Sequence, residues 1–309
     1  MATVTAGGPP ATRRRTSPVR RREVVAAYLF ALPFFGLFLA FTLGPFLASF
    51  AMSFTDLRSA DVRNPLAVDP AGLDNYAKLL EDDTFHQAAL NTAYFVGVCV
   101  PLTMVLALAV AVALNTGITR FRAAFRVGYF LPVVTSIVAI AVVWRFLLQP
   151  ETGLVNTLLG YVGIDGPSWL ASTTWAMPSL IAMSAWRNMG LLVIIFLAGL
   201  QVVPKELHEA AALDGAGAWG RFRHVTLPLM RPTLLFGAVY TGIGYLQFFE
   251  EPFVMTRGGP LDKTLSVAYY TYSQFGFGNY SYAAAMSYVL FVVIAVFSLV
   301  QFRVLGSKD

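Results

Sequence analysis

The sequence predicts an all-α integral membrane protein of six transmembrane helices, with N- and C-termini cytoplasmic, and three observations predict it. Charged residues make up only 13% and hydrophobic residues 57% of the 309, at a mean hydropathy of +0.63, whereas a water-soluble domain carries about 25% charge. The apolar residues gather into six stretches, each close to or above the roughly 20 helical residues that cross a hydrocarbon core. Lys and Arg collect in alternate connections between those stretches, as they do on the cytoplasmic side of a membrane. Lipid is therefore part of the solvent, and the net charge of +5 points to a membrane surface rather than to nucleic acid.

Residues 1–23 read as a disordered basic tail, rich in Ala, Thr, Gly and Pro, with Arg13-Arg14-Arg15 and Arg20-Arg21-Arg22 and no apolar periodicity. The first span, Val24–Phe54, is too long for the apolar region of a secretory signal and no small-residue cleavage site closes it, so it reads as a retained anchor. The next spans are Ala88–Leu114, Phe125–Leu148, Trp175–Leu200, Thr233–Thr256 and Ala283–Val300. Together they make one helical domain over 24–305, closed by a short tail at 306–309. Helix is required because lipid offers no partner to a backbone N–H or C=O, and the alternating pattern of a membrane barrel is absent. Pro33, Pro45, Pro101, Pro132 and Pro178 predict kinks within these helices.

Orientation follows from charge. Six arginines precede the first span, three (Arg120, Arg122, Arg126) follow the second, four (Lys205, Arg221, Arg223, Arg231) follow the fourth, and Arg303 and Lys308 end the chain. These connections hold 15 of the 22 basic residues. The other three connections are acidic or neutral, the first carrying Asp69, Asp74, Glu81, Asp82 and Asp83. Both ends therefore belong on the cytoplasmic side.

Covalent chemistry is not equipped for. There is no phosphate loop, no HExxH metal helix and no G-x-S-x-G elbow. Cys99 is the single cysteine, and His86, His208 and His224 are far apart in sequence, so neither a disulfide nor a metal cluster is expected. If ATP drives this protein, another polypeptide must bind it.

The longest basic connection, 201–232, carries a pattern. Pro204 is placed to start a helix, Lys205–Leu213 is a strong helix former, and Gly215 and Gly217 end it, because glycine reaches the left-handed conformation cheaply. Phe222, Val225 and Leu229 recur at helical spacing. By itself this is a small helix–turn–helix lying on the membrane face, either a docking element or a mere connector.

The run Glu209-Ala210-Ala211, then Asp214-Gly215-Ala216, then Val225-Thr226-Leu227-Pro228, resembles the EAA loop of ABC importer permeases, with valine at 225 where isoleucine is common. Phe253-Val254-Met255-Thr256-Arg257-Gly258-Gly259-Pro260 with Thr264, Tyr28–Asp56 ending in Ser53-Phe54-Thr55-Asp56, and Leu197-Ala198-Gly199-Leu200-Gln201 resemble carbohydrate permeases of the maltose-transporter type. The resemblance covers nearly the whole chain after residue 24. It implies a permease subunit forming half of a translocation pore. The partners it implies are a second, similar permease, two copies of an ATPase subunit that bind ATP and Mg, an extracytoplasmic sugar-binding (lipo)protein, and membrane lipid. It also implies that 201–232 is a coupling helix in which Glu209 faces a basic residue of the ATPase. No cofactor belongs to this chain.

Polar residues at membrane depth are candidates for function, since a charge there needs a partner or water. Trp186-Arg187-Asn188 lies in the fourth span, and Gln247, Phe248, Glu250 and Glu251 lie in the fifth beside Tyr240, Tyr245 and Phe249. Sugar sites combine aromatic faces with amides and carboxylates, and the resemblance implies solute contacts near Asn188, Gln247 and Glu250. Equally, Arg187 could pair with Glu250 or Glu251 and only fix packing. Gln247 and Glu250, three apart, are expected on one helix face. Val133 and Ile137 stand where the maltose transporter has polar contacts, which counts against maltose itself. The aromatic segment Tyr269–Tyr282 and the Trp144-Arg145 pair read as interfacial belts, or as docking surface for a binding protein. An ion-coupled secondary carrier and a non-transporting scaffold or sensor are the rival classes; no internal repeat favours the carrier.

Overall fold

The computed structural model describes residues 18–63, 68–116 and 122–305; the tails 1–17 and 306–309 and the connection 117–121, with Arg120, lie outside the described residues. The chain divides into two compact units, 1–51 and 52–309. The first is helical: α1 (Pro18–Phe38), a π-helical turn (Leu39–Leu43) and α2 (Gly44–Met52). Helix begins at Pro18, earlier than the expected boundary, with proline at a first position that needs no N–H. The wide turn has a cause in Pro45, which lacks an N–H and crowds the carbonyl four residues back; Gly44 N–H reaches Leu39 O instead. Arg22–Met52 remains a 31-residue apolar helix, about 46 Å long and ample for a span.

In the second unit every regular element among the described residues is helical, apart from an isolated bridge between Thr55 and Pro70. Short α3 (Asp74–Glu81) leads into α4 (Asp83–Thr116). Then come α5 (Arg122–Val134), α6 (Ile137–Leu147), α7 (Leu154–Tyr161) and α8 (Ala176–Val202). The basic connection holds α9 (Lys205–Leu213), α10 (Ala218–Arg221), a π turn (Phe222–Thr226) and α11 (Leu227–Leu229). The chain closes with α12 (Arg231–Leu246), α13 (Glu250–Met255), α14 (Val267–Gly276) and α15 (Tyr280–Leu305). Helices α4 and α8 form the central pair, and Phe95, Cys99, Leu180, Met183 and Phe248 are buried where they meet. Glycines permit close crossings, as small residues do between membrane helices: Gly190 abuts the Tyr129 carbonyl with no room for a Cβ, and Gly237 lies on the Phe196 ring.

Among the described residues, four helices are long and apolar enough to cross a membrane, or five if the bent pair Gly128–Val134 and Ile137–Leu147 is one span. Two of the six expected spans are therefore not single helices. The third breaks at Thr135–Ser136 and turns through 117°. Pro132 lies inside α5, before the break; at the break Thr135 Oγ1 donates to the Leu131 carbonyl at 2.8 Å, and Ser136, at ψ 128°, leads into α6. The fifth breaks at 247–249, leaving α12 with 16 residues, about 24 Å and short of a ~30 Å core. Pro252 is the cause: in a continuous helix its ring would strike the Phe248 carbonyl. That carbonyl instead accepts a 2.7 Å hydrogen bond from Ser266 Oγ.

Candidate functional site

The basic connection presents its motif outward. Helix α9 stops at Leu213, and Gly215 takes φ +84°, a conformation costing roughly 1–2 kcal/mol for other residues. Gly215 and Ala216 N–H groups return to the carbonyls of Ala212 and Ala211 at 3.0 and 2.9 Å, closing the helix end. Glu209, Ala210, Asp214 and Gly215 are exposed, Ala211 and Ala216 half-buried. Pro228 is exposed beside half-buried Leu227 in α11, and Leu213 and Trp219 stand 90% and 70% exposed. The motif is thus an acidic helix flanked by exposed apolar side chains.

The membrane-depth candidates divide. Glu251 is 4% exposed; its Oε1 accepts from Ser184 Oγ at 2.8 Å and its Oε2 has no partner. Around it runs a chain of contacts between α4, α8 and α12: Tyr245 OH lies 2.9 Å from Thr103 Oγ1 and donates to the Ser184 carbonyl at 3.3 Å. Phe248 is buried and stacked on Phe95, ring centroids 3.9 Å apart at 5°, so it faces the core. Gln247 is exposed and Glu250 half-exposed. Their expected common helix face does not form, because the break at 247–249 lies between them; Gln247 belongs to the end of α12, where its Nε2 donates to Ile243 O at 3.1 Å.

Arg187 makes no ion pair with Glu250 or Glu251 among the described contacts. Its Nη1 donates to Asn188 Oδ1 at 3.0 Å and its buried Nε is unpartnered. One residue away, Trp186 meets Trp144 of α6 with ring centroids 5.9 Å apart. Arg145 of α6 donates from Nη1 to the Val254 carbonyl of α13 at 3.2 Å. Helix α6, the second half of the bent pair, thus brings an indole to Trp186 and a guanidinium to α13. Neither contact is legible in sequence. The Ser184 role had a faint signal: it sits one turn before Asn188 on the same face of α8.

A second cluster ties α4, α14 and α15 together. Asp82, which in sequence is one acid among several, caps α4 through Oδ1, accepting from Thr84 and Phe85 N–H at 2.9 and 3.1 Å. Its Oδ2 accepts from Tyr282 OH at 2.6 Å and Tyr270 OH at 2.7 Å. Burial alone would raise the Asp82 carboxyl, but the two tyrosine and two backbone donors outweigh it and hold it below the ordinary value. Burial, and next its bond to Asp82, push the Tyr270 hydroxyl up to about 12, keeping it a donor. Asn91 of α4 adds bonds to the Asp262 and Leu265 carbonyls, pinning the loop of the Gly258-Gly259-Pro260 motif, itself closed by a 2.7 Å Thr256–Thr264 contact.

Several long apolar helices joined by a polar, motif-bearing connection are those of a multi-pass membrane protein. Residues 89–305 match the binding-protein-dependent transport system inner membrane component family, and the chain belongs to that family. It is 36% identical over 298 residues to the lactose transport system permease protein of Rhizobium radiobacter, covering 94% of this chain and 97% of that one. It is 34% identical over 285 residues to an arabinooligosaccharides transport system permease protein of Bacillus subtilis, covering 91% and 89%. The crystal structure of a bacterial alginate ABC transporter, in complex with an alginate pentasaccharide-bound periplasmic protein, contains a chain of the same fold. Its TM-score is 0.74 at 25% identity, covering 94% of this chain and 96% of that one. The protein is accordingly an inner-membrane ABC importer permease subunit rather than an enzyme, an ion-coupled carrier or a scaffold.

Proposed function

We propose that this permease forms half of the pore of a sugar importer, crosses the membrane six times with both ends cytoplasmic, and takes its drive from a separate ATPase through Glu209. In this reading the third and fifth spans are the broken pairs α5–α6 and α12–α13. Non-helical backbone at membrane depth is tolerated where protein or a water-filled path covers it, and such breaks commonly mark transport sites. A second permease completes the pore, two ATPase copies bind ATP and Mg, and an extracytoplasmic binding protein delivers the solute. Relatives named for lactose, arabino-oligosaccharides and alginate support a saccharide and leave its identity to the pore lining. Exposed Gln247, half-exposed Glu250 and Asn188 supply hydrogen-bonding groups, and Trp144 and Trp186 supply faces for sugar C–H surfaces.

The observation that carries the coupling role is α9, ended at positive-φ Gly215 with Glu209 exposed on it. ATP binding would move this helix, exchange inward- for outward-facing states and expose the solute groups to the binding protein. Glu209→Lys turns an attraction to a basic ATPase residue into a repulsion. The complex purified from this variant should lose ATPase subunits while the permease still inserts. Normal ATPase recovery and full uptake would remove the role from Glu209.

A further inference from the structure

A groove of about 870 Å³ lies between α4 and the basic connection, walled by Val105, Leu108, Ala109 and Val112 on one side and by Trp219 and Phe222 on the other. Ligand pockets span about 300–1,000 Å³, so this one lies toward the upper end. The four α4 residues stand at i, i+3, i+4 and i+7, a single stripe of the helix. The stripe ends at Asn115, also in the wall. From Val105 to Asn115 the helix rises about 15 Å, half of a ~30 Å hydrocarbon core, which is the depth of one leaflet.

The lining combines two kinds of chemistry. Toward the membrane centre it is aliphatic, and Val105 is 65% exposed. Arg221 and His208 also line it, and among the described residues no Asp or Glu does. Trp219 lines it as well, its ring 5.5 Å from Phe222, and tryptophan is enriched where membrane meets water. An apolar trough one leaflet deep, with a guanidinium and no carboxylate among its described lining residues, matches one ligand shape: an acyl chain below an anionic headgroup.

We propose that this groove binds an anionic phospholipid of the inner leaflet, with its phosphate on Arg221 and an acyl chain along the Val105–Val112 stripe. Assignment to the inner leaflet rests on the cytoplasmic reading of this face; the binding itself does not. Because Arg221 and Trp219 belong to α10, directly after Gly215, the lipid would brace the far side of the coupling helix against α4.

The test uses the complete complex, reconstituted in nanodiscs of equimolar phosphatidylglycerol and phosphatidylcholine, with retained lipids counted by native mass spectrometry. Wild type should keep phosphatidylglycerol over phosphatidylcholine. Arg221→Gln should lower retained phosphatidylglycerol about fivefold, one basic residue's contribution at an anionic surface, and Arg221→Lys should keep most of it. Ala109→Trp, which fills the groove without altering charge, should remove the bound lipid; if Arg221→Gln fails to assemble, this variant decides alone. No preference in wild type, or unchanged retention in Arg221→Gln and Ala109→Trp, overturns the proposal. So does a cross-link from Ala109→Cys to a second permease, which would mean that a protein helix fills the groove. ATPase recovery in the same samples reports on coupling separately, so failure of lipid binding is distinguishable from failure of the Glu209 reading.

Discussion

Adjacent Glu250 and Glu251 look equivalent in sequence, but the structure predicts opposite consequences for neutralising them. Glu251 is 4% exposed, with one oxygen 2.8 Å from Ser184 Oγ and the other unpartnered. Glu251→Gln keeps the shape and the acceptor for Ser184 while relieving the cost of a buried charge, so yield and uptake should stay near wild type. Glu251→Ala strands the Ser184 hydroxyl, at about 1–3 kcal/mol, and leaves a void beside it; with the cavity the loss should be roughly 2–5 kcal/mol. That is a large share of a typical stability and should appear as lower yield and a lower melting temperature. Glu250 is half-exposed with no such lock. If it bonds solute, Glu250→Gln loses a charge-assisted hydrogen bond of about 1.5–3 kcal/mol, which is roughly 10- to 100-fold, at normal yield. The assay is uptake by proteoliposomes holding the complete complex, supplied with saturating loaded binding protein, beside thermal melting of each variant. Silent Glu250→Gln together with a stable but inactive Glu251→Gln would refute this division of roles.

Three further outcomes are expected. Cysteines introduced at Asp69 and Asn279 should react with an impermeant thiol reagent added outside, and one at Ala218 should not; outside labelling at Ala218 would reverse the proposed orientation. Asp82 holds a lowered carboxyl, so its contribution to stability is present above the ordinary value of 3.8 and is lost as pH falls through the lowered one. Melting of wild type relative to Asp82→Asn should therefore show an advantage that is flat from pH 5 to 7, by the linkage relation, and shrinks only below about pH 3.8; a constant difference down to lower pH would contradict it. Gly215→Val should weaken ATPase docking through the positive φ of that position, with insertion intact, and unchanged docking would show that the bend is not needed.

The membrane setting, the helical class, the acidic helix of the basic connection and its glycine stop are all legible in the chain itself, because each depends on composition or on residues adjacent in it. The stop at Gly215 is a local steric fact, and so is the helix start at a proline. That the third and fifth apolar stretches are broken emerges only from how the helices fold together. Pro132 and Pro252 are visible in sequence, but membrane helices tolerate many prolines, Pro101 inside α4 among them. What makes the break at Phe248 affordable is Ser266, 18 residues on, which takes the freed carbonyl. The same holds for the acidic pair, since burial separates Glu251 from Glu250 through Ser184, 67 residues away. Asp82 becomes a junction of three helices only when Tyr270 and Tyr282, 188 and 200 residues on, close over it. Partners so distant leave no periodic trace in a sequence, because their proximity is set by how helices pack and not by the chain between them.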